Sequence, residues 1–350
     1  MFKHIIVPLD GSRRAERAIL VAARIARPAS ASITLLRAVE VPIEYPTHFA
    51  QPVPIGDGTA EMKEAISYLE HVAQTSDLKG LNVQTEAVFG SPALKVIQAA
   101  GQAELIVMCS HGYTGMTRWM LGSVAEKVVR HAPVPVLILR EHGPLPLPPI
   151  TMTPTPLRVL ITLDGSTLAE EVVAPVVQLL LSLDATAPKE LHLLRVVDLP
   201  ATVTGVGKSM AHVNAEMIAT IEKEAMDYIV AFSHQLQNEL PEHANFTISS
   251  AVAVESDVAS AIVRSAEEGG TPGEVGYQGY TLIAMATHGR NGLPRWVIGS
   301  ITERVLHGTT LPVFVVRPKK LAAIEEVDAD TGIWRQEAEE TKIATWPALF

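Results

Sequence analysis

The sequence holds one cysteine, Cys109, in 350 residues, so no intrachain disulfide can brace the fold. Such usage suits a reducing compartment, and a cytoplasmic protein is the expectation. Aromatic residues make up only 5% of the chain, so the cores must rest on Val, Ile, Leu and Ala. Long apolar runs are missing too. The longest, Val172 to Leu183, is interrupted by Pro175, Gln178 and Ser182 and falls short of the ~20 residues of a membrane span. Near the start, Ile5-Ile6-Val7 is ended by Pro8 and Asp10, and no signal peptide is expected. No long basic stripe occurs. Residues 1–150 carry 14 Lys+Arg against 13 Asp+Glu, and the remainder 14 against 25. A net charge of −10 gathered in the second part argues against nucleic acid as a partner.

Several chemical signatures are absent as well. The twelve histidines form no His-Glu-x-x-His and the chain has no paired Cys-x-x-Cys, so no built-in metal site is expected. Neither a Walker A loop nor a Gly-x-Ser-x-Gly elbow occurs, and no catalytic residue is assigned.

What is present is an internal repeat. Phe2–Ser12 (FKHIIVPLDGS) matches Leu157–Ser166 (LRVLITLDGS), and Ile33–Glu40 (ITLLRAVE) matches Leu191–Asp198 (LHLLRVVD). Late in each half, Met108–Arg140 matches Met285–Arg317. This divides the chain into a first domain at 1–142, a linker at 143–156, a second domain at 157–318 and an acidic tail at 319–350. The linker holds Pro144, Pro146, Pro148, Pro149 and Pro154 and reads as extended and stiff. The second copy is longer, partly through Gly269–Tyr280, GGTPGEVGYQGY, which reads as a surface loop.

Within the first copy, β-branched runs at His4–Leu9, Ser32–Val39, Asn82–Val88, Leu105–Cys109 and Val134–Leu139 alternate with amphipathic stretches. Helices are expected at Ala15–Ala26, Thr59–Thr75, Pro92–Gly101 and Gly122–His131. This alternation predicts an α/β fold of two tandem, doubly wound, parallel five-stranded sheets with flanking helices. In such sheets ligands sit beyond the carboxyl ends of the strands.

The residues just past those ends carry the chemistry. Asp10-Gly11-Ser12 and Asp164-Gly165-Ser166 follow the first strand of each copy. They can turn the chain and cap a helix; equally, the carboxylate can accept a hydrogen bond from a ribose or an adenine. Ser110-His111-Gly112 and Thr287-His288-Gly289 follow the fourth strand, and after nine intervening residues come Gly122-Ser123 and Gly299-Ser300. Glycine lets backbone amides approach a phosphate, and a helix start offers free amides. Ser123 with Glu126, and Ser300 with Glu303, also have capping-box spacing. Glycine-bearing turns and helix starts at one edge, present in both copies, favour a phosphate site. His111 and His288 are phosphate donors or plain turn residues. Arg118 and Arg295 either reach a triphosphate or, the favoured reading, are surface arginines beside the packed Trp119 and Trp296. Cys109 is either a reactive thiol at an amide-rich turn or, the favoured reading, a small buried hydrophobe.

These segments resemble the universal stress protein family, over roughly Met1–Arg140 and Leu157–Pro318. The family's nucleotide-binding pattern is Gly-x-x-Gly, nine residues, then Gly-Ser or Gly-Thr. Here Gly112, Gly122-Ser123, Gly289 and Gly299-Ser300 match it, while Cys109 and Ala286 replace the first glycine. The resemblance implies an adenine-nucleotide α-hydrolase-like fold that binds ATP, AMP or ADP, with any Mg²⁺ arriving on the nucleotide. It places Asp10 and Asp164 at the base or ribose, Ala38 and Val196 in the adenine slot, and Pro8 and Thr162 on its flanks. Gly112, Gly122, Ser123 and Val124 would hold phosphates in the first domain; Gly289, Gly299, Ser300 and Ile301 would do so in the second. Met108, Cys109, His111, Met285, Ala286 and His288 complete the implied sites. It further implies pairing through the last strands, Val134–Leu139 with Leu311–Val316, as a pseudo-dimer within the chain, with a further homodimer left open. The leading expectation is a stress-response regulator acting through an unidentified protein partner. A slow ATPase and a nucleotide-free scaffold are its rivals.

Overall fold

The structure is a computed structural model. It describes residues 1–40, 57–110, 121–146, 156–183, 187–198, 208–241, 244–269, 279–289 and 298–318, besides four short strand segments. Five strands of the main sheet come from the first half: β1 (His4–Pro8), β2 (Ser32–Val39), β3 (Asn82–Phe89), β4 (Leu105–Cys109) and β5 (Val136–Leu139). Five more form in the second: β6 (Leu157–Thr162), β7 (Lys189–Asp198), β8 (Phe246–Glu255), β9 (Leu282–Ala286) and β10 (Val313–Val316). The helices are α1 (Arg13–Ala29), α2 (Thr59–Ala73), α3 (Pro92–Ala100), α4 (Ser123–His131), α5 (Thr167–Glu170), α6 (Val173–Leu183), α7 (Lys208–Glu239), α8 (Val258–Glu268) and α9 (Ser300–Gly308).

Each half has the order β3-β2-β1-β4-β5 or its equivalent β8-β7-β6-β9-β10, with parallel pairing throughout. The two expected five-stranded sheets fuse into one sheet of ten. β5 and β10 pair antiparallel at the centre, Leu137 opposite Phe314. This is the intramolecular pairing that the family resemblance implied. It spends both inner edges, which would otherwise be open to aggregation.

The central strands β4 and β9 are buried along their whole length, whereas the outer strand β3 is largely exposed. That difference explains why the central runs are continuously apolar and β3 is not. One apolar layer, reached by α1, α2, α6 and α7, covers one face across both halves. A second, reached by α3, α4, α8 and α9, covers the other. The reversal of faces follows from right-handed crossovers that run first one way and then the other along the sheet. Helices α1 and α6 pack across the join, where the Arg24 Nε donates to the Leu183 carbonyl at 3.4 Å.

The proline-rich linker is fastened at its start. Arg17 donates to the Arg140, Glu141 and Gly143 carbonyls. A Cβ on Gly143 would lie 2.1 Å from the Thr310 carbonyl oxygen, so only glycine fits this approach between the halves. Residues 147–155 of the linker lie outside the described residues. In the second half, α7 has 32 residues against 15 in α2. The insertion read as a surface loop has a core anchor. Its last residue, Tyr280, is buried with its ring 4.9 Å from the Arg158 guanidinium carbon.

Candidate functional site

The chain leaves β1 toward β2 and leaves β4 toward β5, on opposite sides. A crevice therefore opens between the carboxyl ends of β1 and β4, and likewise between those of β6 and β9. Pro8, Cys109, Thr162 and Ala286 are the last residues of those four strands. Ala38 and Val196 lie near the ends of the neighbouring β2 and β7. Met108 and Met285 are buried in the apolar layer under α3, α4, α8 and α9. His111, Gly112, Arg118, Trp119, Arg295 and Trp296 lie outside the described residues.

The Asp-Gly-Ser turns at the head of α1 and α5 are closed by their own bonds. Ser12 donates to Asp10 Oδ1 from its amide at 3.0 Å and from its hydroxyl at 2.7 Å. Ser166 repeats this on Asp164 Oδ1 at 2.9 and 2.6 Å. The turn requires a left-handed glycine, met by Gly11 at φ +89 and Gly165 at φ +86. Each serine also caps its helix, accepting from the Ala15 or Ala169 amide at 3.2 Å. The cap and the rim carboxylate are thus one device.

The capping boxes read at Ser123/Glu126 and Ser300/Glu303 do not form. Gly122 and Gly299 are the capping residues of α4 and α9, and the serines are the first helical residues. The cause lies outside the local pattern. The Gly122 amide donates to the Ser110 carbonyl and the Gly299 amide to the Thr287 carbonyl, both at 2.8 Å. These bonds tie each glycine to the end of β4 or β9 and fix where the helix begins. The first helical bonds run from Glu126 to Gly122 and from Glu303 to Gly299. The amides of Ser123, Val124 and Ala125, and of Ser300, Ile301 and Thr302, precede them and have no intrahelical acceptor. Ser123 and Ser300 are exposed. Glu126 is drawn along its helix by Arg130 at 2.8 Å, which takes its carboxylate away from the amide cluster.

In the second half the turn after β9 folds against the Asp164 side chain. A Cβ on Gly289 would stand 1.9 Å from Asp164 Oδ2, so glycine is required for this approach. The His288 Nδ1 lies 3.0 Å from the Thr287 hydroxyl. Thr302 donates to the Ala286 carbonyl at 2.9 Å and pins α9 to the rim; its counterpart in the first half is Ala125, which has no hydroxyl to do so. Cys109 is buried, donates to the Arg14 carbonyl at 2.8 Å, and has its thiol pushed up to about 12 by desolvation. A thiol so shifted holds little thiolate near neutral pH.

Sequence reasoning missed a polar cluster under each Asp-Gly-Ser turn, formed by Arg37, Tyr68 and Glu16 and again by Arg195, Tyr228 and Glu170. Their recurrence at matching positions in the two copies was the available signal. Among the described residues, no group of three or more His, Cys, Asp or Glu gathers as a metal site. Among the same residues, no helix is long and apolar enough to cross a membrane.

The comparisons with known proteins agree with this fold. A universal stress protein from Mycobacterium tuberculosis is 23% identical over 326 residues, covering 89% of this chain and 96% of that protein. One from Methanocaldococcus jannaschii is 31% identical over 145 residues, covering 40% of this chain and 84% of its own. The crystal structure of a universal stress protein from Archaeoglobus fulgidus shares the fold. Its TM-score is 0.57 at 20% identity, over 90% of this chain and 98% of that one. The model of the universal stress protein family matches residues 1–140 and again 157–317. The chain belongs to the universal stress protein family, with two copies of its domain in tandem.

Proposed function

We propose that each half binds an adenine nucleotide across its crevice, and that occupancy governs the contacts this stress protein makes with a protein partner. The observation that carries this reading is the start of α4 and α9, where glycine caps the helix and an exposed serine stands first inside it. Three amides, a hydroxyl and the positive end of the helix converge there, a donor set suited to phosphate oxygens. In the first half Gly122, Ser123 and Val124 would hold the phosphates; in the second, Gly299, Ser300 and Ile301. Gly289 abuts the Asp164 carboxylate, which suits the sugar side of the ligand, since a carboxylate repels phosphate. Asp10 and Asp164 would accept from the ribose or the adenine amine, with Ala38 and Val196 beside the base. Any Mg²⁺ would be held by the phosphates, with ATP as the preferred ligand.

This reading is of a binding module, because the rim carboxylates are bound to Ser12 and Ser166 and would face the sugar rather than the phosphates. The test is direct. The purified protein is denatured, and the supernatant is run on ion-exchange chromatography. An adenine nucleotide approaching two per chain supports the reading. A nucleotide-free supernatant, followed by no calorimetric signal with millimolar ATP and Mg²⁺, overturns it.

A further inference from the structure

Beneath each Asp-Gly-Ser turn, three elements meet. Glu16 lies in the first turn of α1, Arg37 near the end of β2, and Tyr68 in α2. The Tyr68 hydroxyl donates to Glu16 Oε1 at 3.1 Å, and the Arg37 guanidinium carbon stands 5.0 Å from the Tyr68 ring centroid. A Cβ on Gly11 would be 3.4 Å from an Arg37 guanidinium nitrogen, so the cation lies within about one side-chain atom of the turn. The second half repeats the cluster of arginine, tyrosine and glutamate. The Tyr228 hydroxyl donates to Glu170 Oε1 at 2.7 Å, and the Arg195 guanidinium carbon lies 5.0 Å from the Tyr228 ring centroid.

The correspondence is positional. Glu16 and Glu170 stand six residues after Asp10 and Asp164, and Arg37 and Arg195 directly precede Ala38 and Val196. Neighbours have diverged meanwhile: Arg17 corresponds to Glu171, Thr34 to His192 and Ser67 to Asp227. Arg195 is 7% exposed. Desolvating a guanidinium opposes folding, and an apolar side chain of similar length would fill the volume without that cost. Arg37 also pairs with Glu64 at 3.4 Å; what the two copies share is a guanidinium stacked on the tyrosine ring. Both tyrosines have their hydroxyls held protonated, first by desolvation and then by the neighbouring glutamate, with Asp10 or Asp164 adding a smaller contribution. Each hydroxyl is thus a permanent donor to its glutamate, and each rim aspartate lies within electrostatic reach of the cluster.

We propose that Arg37 with Tyr68 and Glu16, and Arg195 with Tyr228 and Glu170, are positioning residues that hold the rim aspartates in register with the nucleoside part of the ligand. This rests on the nucleotide reading above. The glutamate and tyrosine join the head of the helix to its neighbour, and the arginine supports the turn from below. Asp10 and Asp164 then meet the sugar and base at a fixed place. The phosphate end, held by α4 and α9 on the other face of the sheet, does not depend on the cluster.

That separation supplies the test. Full-length protein and its Arg37→Met/Arg195→Met variant are titrated with ATP and, separately, with inorganic tripolyphosphate. Losing a charged hydrogen-bonding support is expected to weaken ATP about tenfold or more, while tripolyphosphate binding stays within about twofold. Tyr68→Phe/Tyr228→Phe, which keeps both rings and deletes both hydroxyls, is expected to weaken ATP about threefold to tenfold. It serves as the reading if the arginine variant does not fold. Equal losses for ATP and tripolyphosphate would reduce the cluster to general scaffolding and overturn the proposal. Unchanged ATP affinity in both variants would do so too, with the nucleotide reading intact. Wild-type protein that binds no ATP would defeat both together.

Discussion

Two kinds of Gly-Ser step open helices at the rim of this sheet, and the same two residues do different work in them. In Gly11-Ser12 and Gly165-Ser166 the serine is the cap; its hydroxyl accepts from the helix and donates to the aspartate before it. In Gly122-Ser123 and Gly299-Ser300 the glycine is the cap, and the serine stands inside the helix facing solvent. The first kind is satisfied within the protein. The second leaves its first amides without an intrahelical acceptor. The difference arises from one backbone bond, from the glycine amide back to the end of β4 or β9, which sets the helix start one residue earlier than the Ser-x-x-Glu pattern suggests. A dipeptide at a helix head therefore acquires its role from the strand beside it.

The largest effect is expected from closing an open site. In Gly289→Val the new side chain meets Asp164 Oδ2 where a Cβ would already be 1.9 Å away. Relief of that overlap must displace the Asp164 carboxylate, and losing a charged hydrogen-bonding partner weakens binding by about 1.5–3 kcal/mol, roughly 10- to 150-fold. Calorimetry should then count one strong ATP site per chain rather than two. Next comes the open serine itself. Ser123→Ala/Ser300→Ala should weaken ATP by about 1.5 kcal/mol, the lower end for a hydrogen bond to a charged acceptor. The melting temperature should not move. Ser12→Ala is the counterpart: removing a cap costs about 1 kcal/mol of stability, read as a lowered denaturation midpoint. If Ser123→Ala and Ser12→Ala lowered stability equally, the distinction between the two helix starts would be lost. The smallest effect concerns Cys109. With its thiol raised to about 12 by burial, the reactive thiolate is scarce at pH 8, and alkylation should wait for unfolding. Rapid labelling of the native protein would show that the rim of β4 opens.

Much of this was legible in the sequence because it rests on local patterns. The β-branched runs gave all five strands of the first half, with β1 one residue shorter and β5 two residues shorter than expected. The apolar face read at Ile19, Ala22, Ala23, Ile25 and Ala26 is buried. The repeat with its family resemblance foretold the central pairing of β5 with β10. What escaped were contacts made across the chain. The capping box failed because the bonds of Gly122 and Gly299 to Ser110 and Thr287 compete with it. Tyr280 read as a loop residue because its Gly-rich neighbours hid the partner that buries it, Arg158 on a distant strand. The clusters of Arg37 and Arg195 draw on three elements each, and no window of sequence contains them.

The measurement that bears most directly on the open helix starts is a crystal structure of the full chain grown with ATP and Mg²⁺. The account predicts phosphate density against the amides of Ser123 and Val124 and of Ser300 and Ile301, with each ribose turned toward Asp10 or Asp164. Well-ordered crystals at saturating ATP with both helix starts bare, or with nucleotide bound elsewhere on the surface, would contradict it.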